Sequence, residues 1–284
     1  MDFKIGAMAD SFKLNLFEAI RRSAELGVQG VQIYATTGHE LDAEKVTDAS
    51  LGELQRVLKE NNIVVSALCG DFGGHGFSNA AENKNRIEKS KRILDLAKAL
   101  DCNIVTSHIG IIPEEENDTR KVMWEACKEL AEYADKSKAY FAMETGQETC
   151  AVLRGFLDSL GSHGVAVNYD PANLVMVAGD DEVAGVSILK DYIVHTHAKD
   201  GVMLKGMDPK EVYDRFAQGG FDYMNAGRTF LETPLGQGNV RFDAYLKALS
   251  DNGFNGFLTI ERECGDDPAA DIALAVNFLK EKIA

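Results

Sequence analysis

The sequence predicts an α/β fold: a single (β/α)8 TIM barrel over residues 1–284 with a long insertion after the seventh strand. Three observations carry this. Short apolar runs alternate with segments of helical spacing from end to end, a pattern that builds a parallel sheet covered by helices. The alternation repeats eight times, which favours a closed barrel over an open doubly wound sheet. The length of 284 residues suits one barrel of about 250 residues plus an insertion.

Each element has a local reason. Residues 3–8 are an apolar run and predict the first strand. Residues 14–26 carry helical spacing and stop at Gly27, a residue type that ends helices. Strand 30–34 precedes helix 51–59, in which Leu51, Leu54 and Val57 share one stripe. Strand 63–68, helix 86–100, strand 104–108 and helix 122–134 continue the series. Strand 140–144 leads to helix 151–160, and strand 165–170 to the short helix 183–189. The seventh strand is 193–197. Helix 242–249, strand 257–261 and helix 269–280 close the chain. The strands are near-continuous apolar runs, as strands covered on both faces are. Residues 201–240 break the rhythm. They are expected to hold a short helix at 209–216 and an aromatic, glycine-rich stretch. Segments of this length inside a domain usually serve as functional loops or lids.

Composition narrows the class. Hydrophobic residues are 45% and charged residues 26%, which excludes a disordered chain, a collagen and a coiled coil. No apolar run approaches the roughly 20 residues of a membrane helix, so no membrane partner is expected. The start, MDFKIGAMADSF, lacks a basic stretch followed by an apolar one, so no secretory signal is expected. Five cysteines without a CxxC pair predict free thiols and a cytoplasmic location. The net charge of −15 repels a phosphodiester backbone and counts against a nucleic-acid partner. Glu114, Glu115 and Glu116 fit a solvated surface run.

Barrel active sites form at the C-terminal ends of strands, and alternate residues of a strand share a face. The inner set of strand 140–144 is then Tyr140, Ala142 and Glu144. That of strand 165–170 is Ala166, Asn168 and Asp170. His195 and His197 share the inner face of the seventh strand, with His197 nearer the mouth. Phe257, Thr259 and Glu261 share that of the eighth. Four successive strands thus end in Glu144, Asp170, His197 and Glu261. Three carboxylates at one mouth repel one another, and a divalent cation would offset that. Three oxygens and one imidazole suit Mn²⁺, Mg²⁺, Co²⁺ or Zn²⁺, and the lack of thiolates disfavours a structural zinc. Taken singly, each has a plainer reading. Asp170, before Pro171, fits a helix cap; His197 fits a hydrogen-bonded barrel histidine; Glu261 fits a surface run with Arg262 and Glu263. Four such residues in a row favour the joint reading.

These residues carry a resemblance. The chain resembles the xylose-isomerase-like TIM-barrel superfamily, in its sugar phosphate isomerase/epimerase branch, along its whole length. The matching pieces are MET at Glu144, NYDPANL around Asp170, VHTHAKD around His197, LTIERE around Glu261, and LGQGNVRF before the last unit. The resemblance implies one divalent metal, Mn²⁺ in the first place, held by Glu144, Asp170, His197 and Glu261. It implies that Glu144 and Glu261 exchange a proton on opposite sides of a sugar, through an enediolate that the metal stabilises. It implies a small-molecule carbohydrate substrate and, as similar proteins assemble, a homodimer or homotetramer. Ketose 3-epimerases of this type commonly carry His where Asn173 stands and Arg where Met203 stands, so the chain departs from them at both.

Further candidates leave two readings each. His108, ending the fourth strand, fits a substrate hydroxyl contact or a structural hydrogen bond. Lys199 fits an anionic substrate or the network of the base. His75, in GDFGGHGF, lies on a mobile lid or a merely flexible loop. Asn173 follows Asp170 on the substrate side; Gln32 and Tyr34 line the floor; His39 and His163 fit the surface. The expected function is a divalent-metal-dependent isomerase or epimerase acting on a sugar, sugar phosphate or related keto-polyol. The alternative on the same site is a lyase or dehydratase eliminating from a keto-sugar, keto-inositol or 3-oxo-glycoside. An endonuclease IV-type reading conflicts with six histidines in all and the acidic charge. A non-catalytic sugar-binding barrel conflicts with the four metal-type residues.

Overall fold

The structure, a computed structural model, describes residues 1–206, 208, 210–212, 214 and 229–284. Eight parallel strands close into a barrel. They are β1 (Lys4–Met8), β2 (Gly30–Tyr34), β3 (Val64–Cys69), β4 (Ile104–Ser107), β5 (Tyr140–Glu144), β6 (Val165–Tyr169), β7 (Ile193–Ala198) and β10 (Phe257–Ile260). Neighbours follow chain order, and β10 closes the ring between β7 and β1. β8 (Asp200–Met203) and β9 (Phe230–Thr233) form a separate antiparallel pair after the seventh strand. The expected helix 209–216 and the aromatic stretch after it fall largely outside the described residues. Among the described residues no helix is long and apolar enough to cross a membrane.

The covering helices are α1 (Leu16–Leu26), α2 (Asp48–Glu60), α3 (Ala80–Ala99), α4 (Asp118–Ser137), α5 (Cys150–Leu160), α6 (Ala184–Leu189), α7 (Phe242–Asp251) and α8 (Pro268–Ile283). Several begin ahead of their apolar stripe. Thr47 and Ser50 form a reciprocal capping box at α2, and Asn79, Asn117 and Asp267 cap α3, α4 and α8. A capped first turn is held by side-chain acceptors rather than by burial, so hydrophobic spacing does not reveal it. α1 ends where expected, at Gly27 with φ +77°.

Two features of the barrel position the site. Near the N-terminal end, Phe257 fills space that a Cβ on Gly30 would invade at 2.6 Å. Midway, the register shifts between Val31 and Gln32 and between Val167 and Asn168. Irregularities of this kind re-aim side chains, and Gln32 and Asn168 both turn inward to a buried polar layer. The insertion is tied back by Asp200, whose carboxylate accepts the N–H groups of Gly201, Gly236, Gly238 and Val240 at 2.8–3.1 Å. Gly238 passes so close that a Cβ would stand 2.1 Å from Asp200 Oδ1. That contact accounts for the second glycine of LGQGN, while the first has φ +84° and packs against Phe278.

Candidate metal centre and cavity

Glu144 is the last residue of β5, Asp170 follows β6, His197 lies in β7 and Glu261 follows β10. Each offers one ligand atom, and the four atoms lie within 4.8 Å of one another, all buried. His197 Nδ1 is 3.5 Å from Glu144 Oε1, 3.6 Å from Asp170 Oδ2 and 3.2 Å from Glu261 Oε2. Asp170 does two jobs. Its Oδ1 accepts the N–H groups of Ala172 and Asn173 and so caps the turn Pro171–Asn173. Its Oδ2 is buried with no hydrogen-bond partner, and so is His197 Nδ1. Buried polar atoms are almost always paired. Two orphans facing each other among carboxylates fit a cation, and the donor set of three oxygens and one nitrogen suits a divalent ion.

The ligands are held from behind. His197 Nε2 lies 2.9 Å from the acceptor Gln32 Oε1 and 3.2 Å from Asn168 Nδ2; the Gln32 contact favours a proton on Nε2 and leaves Nδ1 as the nitrogen that faces the carboxylates. Gln32 Nε2 in turn donates to Thr106 Oγ1 at 2.8 Å. Asn168 Nδ2 donates to Glu144 Oε2, and Asn173 Nδ2 to Glu144 Oε1. His195 lies deeper. Its Nδ1 meets Asn168 Oδ1 and its Nε2 meets Thr259 Oγ1, so both nitrogens are engaged. Burial and the neighbouring His197 hold His195 well below the usual imidazole range, which keeps it neutral.

The electrostatics are those of a site built to attract positive charge. Burial works against ionising Glu261, yet His197 and Lys199 hold its carboxyl well below the usual range. Glu144 is also lowered: burial opposes, and His108 and His197 outweigh it. Burial works against a charged His197, but Glu261 and Glu144 raise it well above normal. The same carboxylates would draw a divalent cation, whose binding at Nδ1 displaces a proton.

A cavity of about 200 Å³ opens above the centre. Glu144, Glu261, His108, Asn173 and Lys199 line it, as do Asp71, Glu263 and Tyr34. His108 Nδ1 is 2.9 Å from Asp71 Oδ2, and its Nε2 is 3.6 Å from Glu144 Oε1. Burial pushes His108 down, but Glu144 and Asp71 prevail and raise it to about 10. Lys199 Nζ donates to Glu261 Oε2 at 2.9 Å and to Glu263 Oε2 at 2.5 Å. His75 does not line the cavity; its half-exposed ring stands 3.6 Å from Asp214. Met203 ends β8 and is likewise outside the lining. Gln32 lies below His197, and Tyr34 lines the wall with its ring stacked on His39 at 4.3 Å. His39 and His163 are exposed, as are Glu114, Glu115 and Glu116. All five cysteines are free thiols.

Sequence reasoning missed Asp71 and Glu263. Asp71 was visible only as a lone acid in a glycine-rich loop. Glu263 had a usable signal: it is two residues past Glu261, and alternation returns it to the same side.

The xylose isomerase-like TIM barrel family matches residues 20–282, and the chain belongs to that family. Among the solved structures that share the fold, three are similar along nearly the whole chain. One is the probable 3-DHS dehydratase AsbF involved in petrobactin synthesis from Bacillus anthracis, at 18% identity, 98% of this chain, 99% of that one and TM-score 0.76. A second is the IolI protein with a binding zinc atom, at 17% identity, 99% and 96% coverage and TM-score 0.73. The third is 3-keto-D-glucoside 4-epimerase, YcjR, from E. coli, at 16% identity, 99% of each chain and TM-score 0.71. No curated protein matches the sequence. Fold and site together define a barrel with a buried four-residue centre capable of coordinating a divalent metal.

Proposed function

We propose that this chain, one domain over residues 1–284, is a metal-dependent isomerase or epimerase of a sugar, sugar phosphate or related keto-polyol. The observation that carries the reading is the convergence of Glu144, Asp170, His197 and Glu261, with Asp170 Oδ2 and His197 Nδ1 left unpaired in the interior. These four residues would hold the ion, Mn²⁺ in the first place and Mg²⁺, Co²⁺ or Zn²⁺ otherwise. When bound, the cation supplies Lewis-acid stabilisation of charge developing on the substrate's carbonyl oxygen.

The protein's own groups do the rest. Glu144 and Glu261 both face the cavity and serve as the acid–base pair, one removing the proton beside the carbonyl and the other returning one. Asn168 and Asn173 fix both oxygens of Glu144, while Lys199 fixes Glu261. His108 and Asn173 contact substrate oxygens, Lys199 belongs to the network of the base, and His75 would reach the substrate only from the loop above. Return of the proton to the opposite face inverts the centre, and return to the neighbouring carbon exchanges aldose and ketose. The substrate is a small carbohydrate, with no nucleic-acid or membrane partner; the assembly is a homodimer or homotetramer in the cytoplasm.

One observation favours the lyase or dehydratase alternative. His108 stands with Nδ1 2.9 Å from Asp71 Oδ2 and Nε2 3.6 Å from Glu144 Oε1, beside the proposed base and placed to donate to a departing hydroxyl. Incubation with candidate sugars in deuterated water separates the two. Deuterium in an intact sugar supports isomerase or epimerase chemistry; loss of water or of an aglycone supports elimination. Glu144→Gln is expected to abolish turnover while substrate binding persists, and wild-type turnover in that variant would remove Glu144 from the mechanism.

A further inference from the structure

Charge decides which sugars the cavity can hold. Among the described residues, Lys199 is the only ammonium or guanidinium group lining it, against the carboxylates of Asp71, Glu144, Glu261 and Glu263. Lys199 is already committed. Its Nζ donates to Glu261 and Glu263, and Glu232 Oε2 lies 3.8 Å away. A divalent ion would offset two of the three charges on Glu144, Asp170 and Glu261. Glu263 still answers Lys199, Glu232 being shared with Arg262, and Asp71 answers His108. Nor does backbone supply an anion site after β6, because Asp170 takes the N–H groups of Ala172 and Asn173. Proteins bind phosphate and carboxylate through free Arg or Lys groups or open helix N-termini, and the described lining offers neither.

Of the remaining described lining, Met8, Cys69, Val177 and Val212 are apolar and suit the carbon skeleton of a polyol, glycines bring backbone to the wall, and Tyr34 and Gln147 add neutral polar groups. The cavity volume of about 200 Å³ lies below the roughly 300 Å³ of the smallest drug-sized pockets, and so fits a single monosaccharide-sized guest.

We propose that this cavity selects uncharged keto-polyols over their phosphates and acids, and that Glu263 enforces the choice by occupying Lys199. Glu263 is placed for this. Its side chain is 40% exposed at the rim, where an incoming anion meets it before reaching Nζ. The proposal rests on the sugar-converting reading above and narrows its substrate class to free sugars.

The test compares binding of matched inert polyols, xylitol with xylitol 5-phosphate and sorbitol with sorbitol 6-phosphate, to Mn²⁺-loaded protein by calorimetry. The neutral member of each pair is expected to bind at least about tenfold tighter, the scale of one uncompensated unit charge several ångströms away in a partly buried site. Equal or tighter binding of the phosphates, or no saturation by either polyol, would overturn the proposal. Glu263→Gln is expected to narrow the preference severalfold by releasing Lys199; an unchanged preference removes Glu263 from the selection. Solvent-deuterium exchange is the separate arm. A preference for neutral polyols without exchange into any sugar would sink the isomerase reading and leave the selectivity standing. Exchange faster into sugar phosphates than into free sugars would do the reverse.

Discussion

Gln32 touches the cation site only through His197, and that makes it an informative residue to change. It is fully buried on β2, with Oε1 2.9 Å from His197 Nε2 and Nε2 2.8 Å from Thr106 Oγ1. Gln32→Met keeps the volume and removes both hydrogen bonds. The His197 N–H is then left buried without its acceptor, which costs about 1–3 kcal/mol of folding stability. The imidazole also loses the contact that fixes its tautomer and orientation. Outer-shell partners of this kind are worth about 10–100-fold in metal affinity. The assay is the Mn²⁺ dissociation constant by competition with a chelating indicator, beside thermal melts of the metal-free protein. The constant should rise within that range, and the metal-free melt should fall. Thr106→Val, which frees Gln32 at one end only, should do less. An unchanged dissociation constant in a folded Gln32→Met protein would refute the claim that His197 ligates through Nδ1 with Gln32 behind it.

Other perturbations probe neighbouring features. Asp170→Asn keeps an acceptor for the cap of Ala172 and Asn173, and Asn caps about as well as Asp. The cap, and with it the metal-free fold, should therefore persist, while Mn²⁺ retention by elemental analysis is lost; retained metal in the folded variant would remove Asp170 from the ligand set. Glu148 is buried beside Ile112 N, and burial pushes its carboxyl up to about 8. A raised carboxyl gives stability that is fully present below its unfolded value and lost as pH climbs through 8. Stability between pH 5 and 8 should thus decline by up to about 1.4 kcal/mol per pH unit from this group. Glu148→Gln should flatten that decline in denaturant titrations, and an identical slope in the variant would count against a buried neutral acid. Gly146 has φ +123°, and a Cβ there would stand 2.1 Å from Asn173 Cβ. Gly146→Ala should cost more than about 1 kcal/mol and weaken metal binding through Glu144; a wild-type melt and affinity would show that the turn yields freely.

Much of the centre was legible because strands have period two. Counting back from the end of each apolar run places Glu144, Asp170, His197 and Glu261 on the inner face at the mouth, and the four do meet. The same counting explains why Glu261–Arg262–Glu263 is more than a surface run. Glu261 and Glu263 both face the cavity, while Arg262 turns away to Glu232 and Asp271. Asp170 could be read as cap or as ligand, and its two oxygens divide those roles. Helix starts were less visible, since polar caps such as Thr47 and Asn79 leave no apolar trace.

By itself, the sequence determined the barrel, its interruption after the seventh strand, and the ring of metal-type residues, because alternation and strand-end position are local properties of the chain. Only the tertiary structure decided what stands behind and around that ring. Gln32 reaches His197 across 165 positions, Asp71 pairs with His108 across 37, and Lys199 is claimed by Glu263 across 64. The first depends on barrel closure, which brings the first and last strands together; the other two join the ends of neighbouring strands, and in all three burial, rather than sequence distance, chooses which polar groups must satisfy one another.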